Sequence, residues 1–262
     1  MIIDTHCHLD NKKYYEDIDT VIQRALDNGV KGFLIPGADH KDLPQALALA
    51  EKYEEVYFSV GAHPYDIDSY DENIMNKYVT HPKCIAIGEC GLDYFRLPED
   101  ENEKIENIKK QKEVFISQIE FAKKVKKPLI VHIRDASDDS RQILINHDAK
   151  QVGGVLHCYN ASEHLLCLAD HNFYFGIGGV LTFKNAKKLI EVLPKIPKDK
   201  LLIETDSPYL TPHPHRGERN EPFYTIFVAK KMAELLEIDD LEIQKLTTNN
   251  AKKLFKEFSS FS

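Results

Sequence analysis

Ile2-Ile3-Asp4-Thr5-His6-Cys7-His8-Leu9-Asp10 opens the chain, an apolar run leading into two histidines one residue apart. In a strand, alternate side chains share a face, so both imidazoles of His6-x-His8 reach one point just past the strand's end. Imidazole is the commonest metal-ligating side chain. A metal held here needs partners from other strand ends, and the number and spacing of those strands decide the fold.

Outward from that stretch, short runs of mostly Val, Ile, Leu, Phe or Tyr predict strands at 2–6, 32–36, 56–60, 85–89, 129–132, 155–157, 174–177 and 201–204. Such runs suit strands buried on both faces of a parallel sheet. Helical patterns lie between them at 17–27, 42–54, 71–79, 103–124, 137–146, 162–169 and 185–192, and two more, 222–236 and 241–258, follow the last strand. Eight strands alternating with helices point to a closed α/β barrel or a doubly wound sheet. The 262 residues are close to the roughly 250 typical of a (β/α)8 barrel. No linker or low-complexity segment divides them, which predicts a single domain over 1–262. The acidic stretch 98–106 is expected to be a solvated loop running into the long helix.

Composition narrows the function. A formal net charge of -8 argues against holding DNA by bulk electrostatics. It leaves room for a small substrate, or for a nucleic-acid end gripped by a few cations. No apolar run approaches the ~18 residues of a membrane span, and the N-terminus lacks the basic-then-apolar layout of a signal peptide. No membrane partner and a cytoplasmic location are therefore expected. Five cysteines, an odd number with no CxxC, argue for a reducing compartment and for small buried hydrophobes rather than disulfides.

Six metal-competent residues fall on one predicted rim. His6 and His8 close the first strand, Glu89 ends the fourth, His132 the fifth and His157 the sixth, and Asp206 follows the eighth. Singly, each has an ordinary alternative: a strand-end His is usually hydrogen-bonded, and Asp206 before Ser207-Pro208 is placed to start a turn. Jointly they mark the C-terminal face of a barrel, where active sites sit. The set fits two divalent cations, with Glu89 as the bridging candidate and Asp206 as general base as well as ligand. Four imidazoles favour Zn2+ or Mn2+ by ligand type, whereas phosphoryl hydrolysis often uses Mg2+.

Around this set, His63 after the third strand, Arg134 after His132 and Arg216 in the Pro-rich loop 212–220 are candidate substrate contacts, the arginines as planar phosphate forks. Arg219 is either a second clamp or a surface ion pair. His213 and His215 mimic His-x-His but lie between prolines, where metal binding is not expected. Asp4 is a candidate to orient an imidazole, and Asp93 and Tyr94 are expected to line the pocket.

Through these residues the chain resembles the TatD family of metal-dependent deoxyribonucleases in the amidohydrolase superfamily. The opening stretch carries the match, with Pro128-Leu129-Ile130-Val131-His132-Ile133-Arg134-Asp135-Ala136-Ser137-Asp138 and Leu201-Leu202-Ile203-Glu204-Thr205-Asp206-Ser207-Pro208. Gly61-Ala62-His63-Pro64, Gly88-Glu89-Cys90-Gly91-Leu92-Asp93-Tyr94, His157-Cys158-Tyr159 and His215-Arg216-Gly217 fit as well, in the expected order across nearly the whole chain. The resemblance implies a (β/α)8 TIM barrel of the metal-dependent hydrolase type, a divalent metal centre, and hydrolysis of DNA phosphodiesters, typically from a 3′ end. By position it makes His6, His8, Glu89, His132, His157 and Asp206 the metal ligands and His63 a substrate contact. Glu89 stands where many superfamily relatives carry a carbamylated lysine.

Two departures touch loops that face the pocket rather than the ligands. Tyr65 stands where the family often has a second His, and His157-Cys158-Tyr159-Asn160-Ala161 where it often reads His-Cys-Phe-Ser-Gly. The expected protein is thus a two-cation (Mg2+, Mn2+ or Zn2+) 3′–5′ exodeoxyribonuclease, monomeric, with short or single-stranded DNA ends as substrate. The alternatives are a hydrolase of a small amide or ester or of an aminoacyl-tRNA ester, and a non-catalytic metal-binding protein. The complete ligand set argues against the last.

Overall fold

The computed structural model describes residues 1–261. Among them, β1 (Ile2–Asp4), β2 (Val30–Ile35), β3 (Val56–Val60), β4 (Cys84–Asp93), β5 (Leu129–Arg134), β6 (Gly154–Leu156), β7 (Phe173–Ile177) and β8 (Leu201–Ile203) pair in chain order, every neighbour parallel. The ring closes between β8 and β1. Thr5 N donates to the Ile203 carbonyl (3.1 Å), Asp206 N to His6 (2.9 Å) and His8 N to Ser207 (2.8 Å). This is a (β/α)8 TIM barrel, as expected.

Parallel strands need crossovers, and helices supply most of them. They are α1 (Ile18–Asp27), α2 (Leu43–Lys52), α3 (Glu72–Val79), α4 (Glu101–Val125), α5 (Ser137–Asn146), α6 (Lys187–Val192), α7 (Thr225–Leu236) and α8 (Asp240–Leu254). Between β6 and β7 the expected helix is instead a 3-10 segment, Glu163–His171. The acidic loop expected at 98–106 is helix from 101 onward. Asp100 accepts from the backbone N–H groups of Asn102 and Glu103 and so starts α4 one residue later. None of the helices among the described residues is long and apolar enough to cross a membrane.

Two apolar layers sort the strand residues. Phe33, Val60, Ile87, Cys90, Val131 and Leu156 face outward and pack with the helices. Ile3, Leu34, Ala86, Ile130, Val155 and Leu202 face inward and cluster with Phe255 and Phe258 from the chain's C-terminal end. That end therefore plugs one mouth of the barrel. The predicted helix 241–258 stops at Leu254, and a 3-10 turn, Lys256–Ser260, seats Phe258 there. The other mouth is left for polar residues.

Candidate metal centre

Counting by two from the inward-facing layer places most of the site. Ile130 leads to His132, Val155 to His157, and Leu202 to Glu204 and Asp206, all on the barrel's inner side. Glu89 does not follow that rule. Ala86 faces in and Ile87 faces out, so plain alternation would send Glu89 out among the helices. A bulge prevents this: Ile87 pairs with Leu129 and Cys90 with Val131, three steps on β4 against two on β5. The extra residue lets Cys90 resume the outward register while Glu89 turns inward. The predicted strand ended at Glu89, but β4 runs on to Asp93, so Glu89 sits within the strand.

β1, by contrast, stops at Asp4, and His6 and His8 lie on the segment beyond it, which bridges to Ser207. Their rings meet edge to face, 5.2 Å between centroids. Both approach Asp206 Oδ1, His8 Nε2 at 3.3 Å and His6 Nε2 at 3.8 Å. Cys7 turns away, its thiol donating to the Leu34 carbonyl.

Glu89 stands at the centre. Its Oε2 is 3.4 Å from His6 Nε2, whereas Oε1 is 3.1 Å from His132 Nδ1, 3.6 Å from His63 Nε2 and 3.7 Å from His157 Nε2. The His6 and His157 rings stack at 3.4 Å. Three overlapping donor groups result: His6, His8 and Asp206; His6, Glu89 and His157; His63, Glu89 and His132. The structure thus brings together all six predicted ligand candidates. His63, predicted as a substrate contact, lies within the same cluster.

Charge follows from these contacts. Burial raises the Glu89 carboxyl, but the imidazoles of His6, His63 and His157 outweigh it and hold Glu89 well below the usual range. Burial is likewise overcome at Asp206, where the His8 hydrogen bond and the charges of His157 and His6 keep the carboxylate ionised. His63 goes the other way: burial lowers it to about 4, so it is neutral at pH 7. At His157 burial is outweighed by Glu204 and Glu89, and the imidazole is pushed up to about 10.

Two orienting carboxylates carry more weight than the sequence suggested. Glu204, fully buried, lies 3.0 Å from His157 Nδ1 and accepts from Cys158 N. Its spacing from Asp206 put it on the same strand face, a signal open to sequence reading. Gly176 makes room for it, since a Cβ there would sit 2.1 Å from Glu204 Oε2. Asp93, expected only to line the pocket, lies 2.9 Å from His132 Nε2. Such carboxylate–imidazole pairs fix the tautomer and aim of a metal-ligating ring. Asp4 does something else. It accepts from Thr205 N, Thr205 Oγ1 and His6 N, tying β1 to the loop after β8 without touching an imidazole, and burial raises it to about 8.

The predicted rim residues stay outside the cluster. Arg134 is exposed and stacks on Phe95, Cζ 3.5 Å from the ring centroid. Arg216 packs on Phe183 at 4.0 Å and donates to the Thr211 carbonyl. Arg219 is the ion-pair alternative, bound to Asp17 and Glu221. His215 stacks on Tyr224 and contacts Glu218, and neither it nor His213 joins a candidate metal group among the described residues.

The residues suit a divalent cation on grounds internal to the structure. His6 is fully buried, yet neither ring nitrogen has a hydrogen-bond partner among the described residues. Leaving such a group unpaired costs ~1–3 kcal/mol, a cost that ligation removes. Four imidazoles with two ionised carboxylates are also a donor set that hydrolytic metals take.

A (β/α)8 barrel with this donor set at its mouth is the architecture of a metal-dependent hydrolase. The family model described as TatD related DNase matches residues 3–256. The chain is 44% identical to an uncharacterized metal-dependent hydrolase of Bacillus subtilis, over 98% of this chain and 99% of that one. It is 33% identical to the 3'-5' ssDNA/RNA exonuclease TatD of Shigella flexneri, over 97% and 98% of the two chains. The crystal structure of a TatD homologue from Escherichia coli superposes with a TM-score of 0.89 at 29% identity, covering 97% of this chain and 98% of that one. The chain belongs to the TatD related DNase family, and it is a metal-dependent hydrolase.

Proposed function

We infer that the protein is a 3′–5′ exodeoxyribonuclease acting on single-stranded DNA ends, with two divalent cations held by His6, His8, Glu89, His132, His157 and Asp206. The observation that carries this reading is Glu89. One of its oxygens faces His6 and the other faces His63, His132 and His157, the disposition of a carboxylate shared between two centres. When bound, two such cations lower the pKa of a water and take up charge on phosphoryl oxygens.

The chain's own groups do the rest. Asp206, ionised and fixed by His8, is the base that receives a proton at Oδ1. Glu204 and Asp93 hold the His157 and His132 rings in aim. Neutral His63 beside Glu89 contacts the substrate phosphate. Arg134 and Arg216 grip the flanking backbone as forks. Membership of a DNase family and a relative described as a single-strand exonuclease support nucleic acid as substrate. The net charge of -8 suits a short end that needs few phosphate contacts.

The test is digestion of end-labelled single-stranded DNA with Mg2+ or Mn2+. Terminal nucleotides should be lost from the 3′ end, chelation should abolish the reaction, and Asp206→Asn should lower kcat by roughly 10²- to 10⁴-fold. Undiminished activity in that variant removes Asp206 as the base. If an aminoacyl ester is hydrolysed while no phosphodiester is cut, the substrate assignment falls.

A further inference from the structure

The described residues include six large hydrophobic side chains that are substantially exposed, and four of them are aromatic: Tyr15, Tyr65, Phe95 and Tyr209. All four lie on segments that follow strands, after β1, β3, β4 and β8, at the mouth that holds the donor cluster. The two aliphatic ones, Ile105 and Leu241, lie on α4 and α8. Scattered surface apolar residues need no explanation, but confinement of every exposed ring to one face does.

Three of the rings also carry a cation. Arg134 lies 3.5 Å from the Phe95 centroid, Arg96 5.1 Å from that of Tyr65 and Lys13 5.2 Å from that of Tyr209. The rings are fixed to the site itself. Tyr65 meets His63 edge to face at 4.9 Å and donates its N–H to His63 Nδ1, and Phe95 N donates to Asp93 Oδ1, the carboxylate that aims His132. Tyr209 meets His8 edge to face at 5.9 Å and takes a hydrogen bond from Asn11. In a ring of eight strands β4 lies opposite β8. Two aromatic–cation arcs therefore face each other across the donor cluster.

We propose that Tyr65 and Phe95 on one arc and Tyr209 on the other are stacking platforms for unpaired nucleobases on either side of the scissile phosphate, with Arg96, Arg134 and Lys13 gripping the adjoining backbone. Paired aromatic and cationic groups are what a single strand recognises: every base has a π-face, and each backbone link carries a charge. A duplex keeps its faces stacked inside, so the platform selects for unpaired ends. The proposal rests on the nuclease reading above.

The protein contains no tryptophan, so a single introduced one reports alone. Phe95→Trp and, separately, Tyr209→Trp would be placed in the Asp206→Asn background and titrated with oligothymidylate or an abasic sugar–phosphate oligomer of equal length, with Mg2+ present. Oligothymidylate should quench both tryptophans. The abasic oligomer should quench neither and should bind on the order of tenfold or more weakly, as expected from the loss of base–aromatic stacking. Equal quenching by both oligomers, or none by oligothymidylate, overturns the platform. Cleavage by the unmodified protein separates the two ideas: a chain that cuts DNA without quenching keeps the nuclease reading and loses this one, whereas quenching without cleavage overturns the nuclease reading and, with the scissile phosphate gone, leaves only single-strand binding.

Discussion

His157 is held between Glu204 and Glu89, and in the metal-free protein it carries a proton at neutral pH. Its folded pKa of about 10 lies above the unfolded value near 6.5. The stabilisation it supplies is complete below pH ~6.5 and is lost as pH rises toward 10. The thermal midpoint of chelated protein should fall over that window, and less so in His157→Gln. A cation at Nε2 must displace this proton while Nδ1 keeps facing Glu204, so metal affinity rises with pH. Calorimetric titration of Mn2+ at pH 7 in buffers of different ionisation enthalpy should show proton release, reduced by about one proton in His157→Gln. Identical heats in every buffer would remove His157 from the ligand set. Glu204→Gln, which removes the charge aiming the ring, should weaken metal binding roughly 10- to 100-fold.

At the scale of elements, β4 and α4 make separable contributions. Gly91 follows the bulge at φ +138°, and a Cβ there would meet the His132 carbonyl oxygen at 2.0 Å. Gly91→Ala should therefore pry β4 from β5, lowering both the thermal midpoint and the metal affinity, because Glu89 and His132 lie on the two strands being separated. Asp100 caps α4 far from the donors, and Asp100→Ala should cost ~1 kcal/mol, a fall of roughly 2–4 °C, with metal affinity unchanged. A Gly91→Ala protein that melts early but binds metal normally would show that the bulge does not aim Glu89. The cap was open to sequence reading because it is local, Asp100 with Glu103 three residues on, although the helix was expected to begin only at 103. The bulge was not, because it exists only as a mismatch in count between two strands.

For the whole molecule, the barrel depends on closing its ring and plugging its base. Closure uses backbone bonds between β8 and the residues after β1, reinforced by Asp4 on Thr205. The base is filled by Phe255 and Phe258, the latter packed 5.0 Å from Tyr57 and against Gly32. Phe258→Ala should cost ~3–5 kcal/mol, read as a lowered denaturant midpoint. A change below ~1 kcal/mol would show that the interior layer does not need the plug.

Eight strands, most of the helices between them and six side chains that the barrel gathers at one mouth were legible in the sequence alone, because side-chain alternation and residue chemistry are properties of short stretches. Tertiary structure alone decided which way Glu89 faces, that Asp4 secures the ring rather than an imidazole, that His63 lies beside Glu89, and that Arg219 is spent on Asp17 and Glu221. It also decided that the exposed rings share one mouth. Each of these depends on the register between neighbouring strands or on where loops land after the barrel closes, and both are set by contacts between residues far apart in the chain. The pair His6-x-His8 raised the expectation of a metal, and the closure of β8 onto β1 supplied the Asp206 it faces.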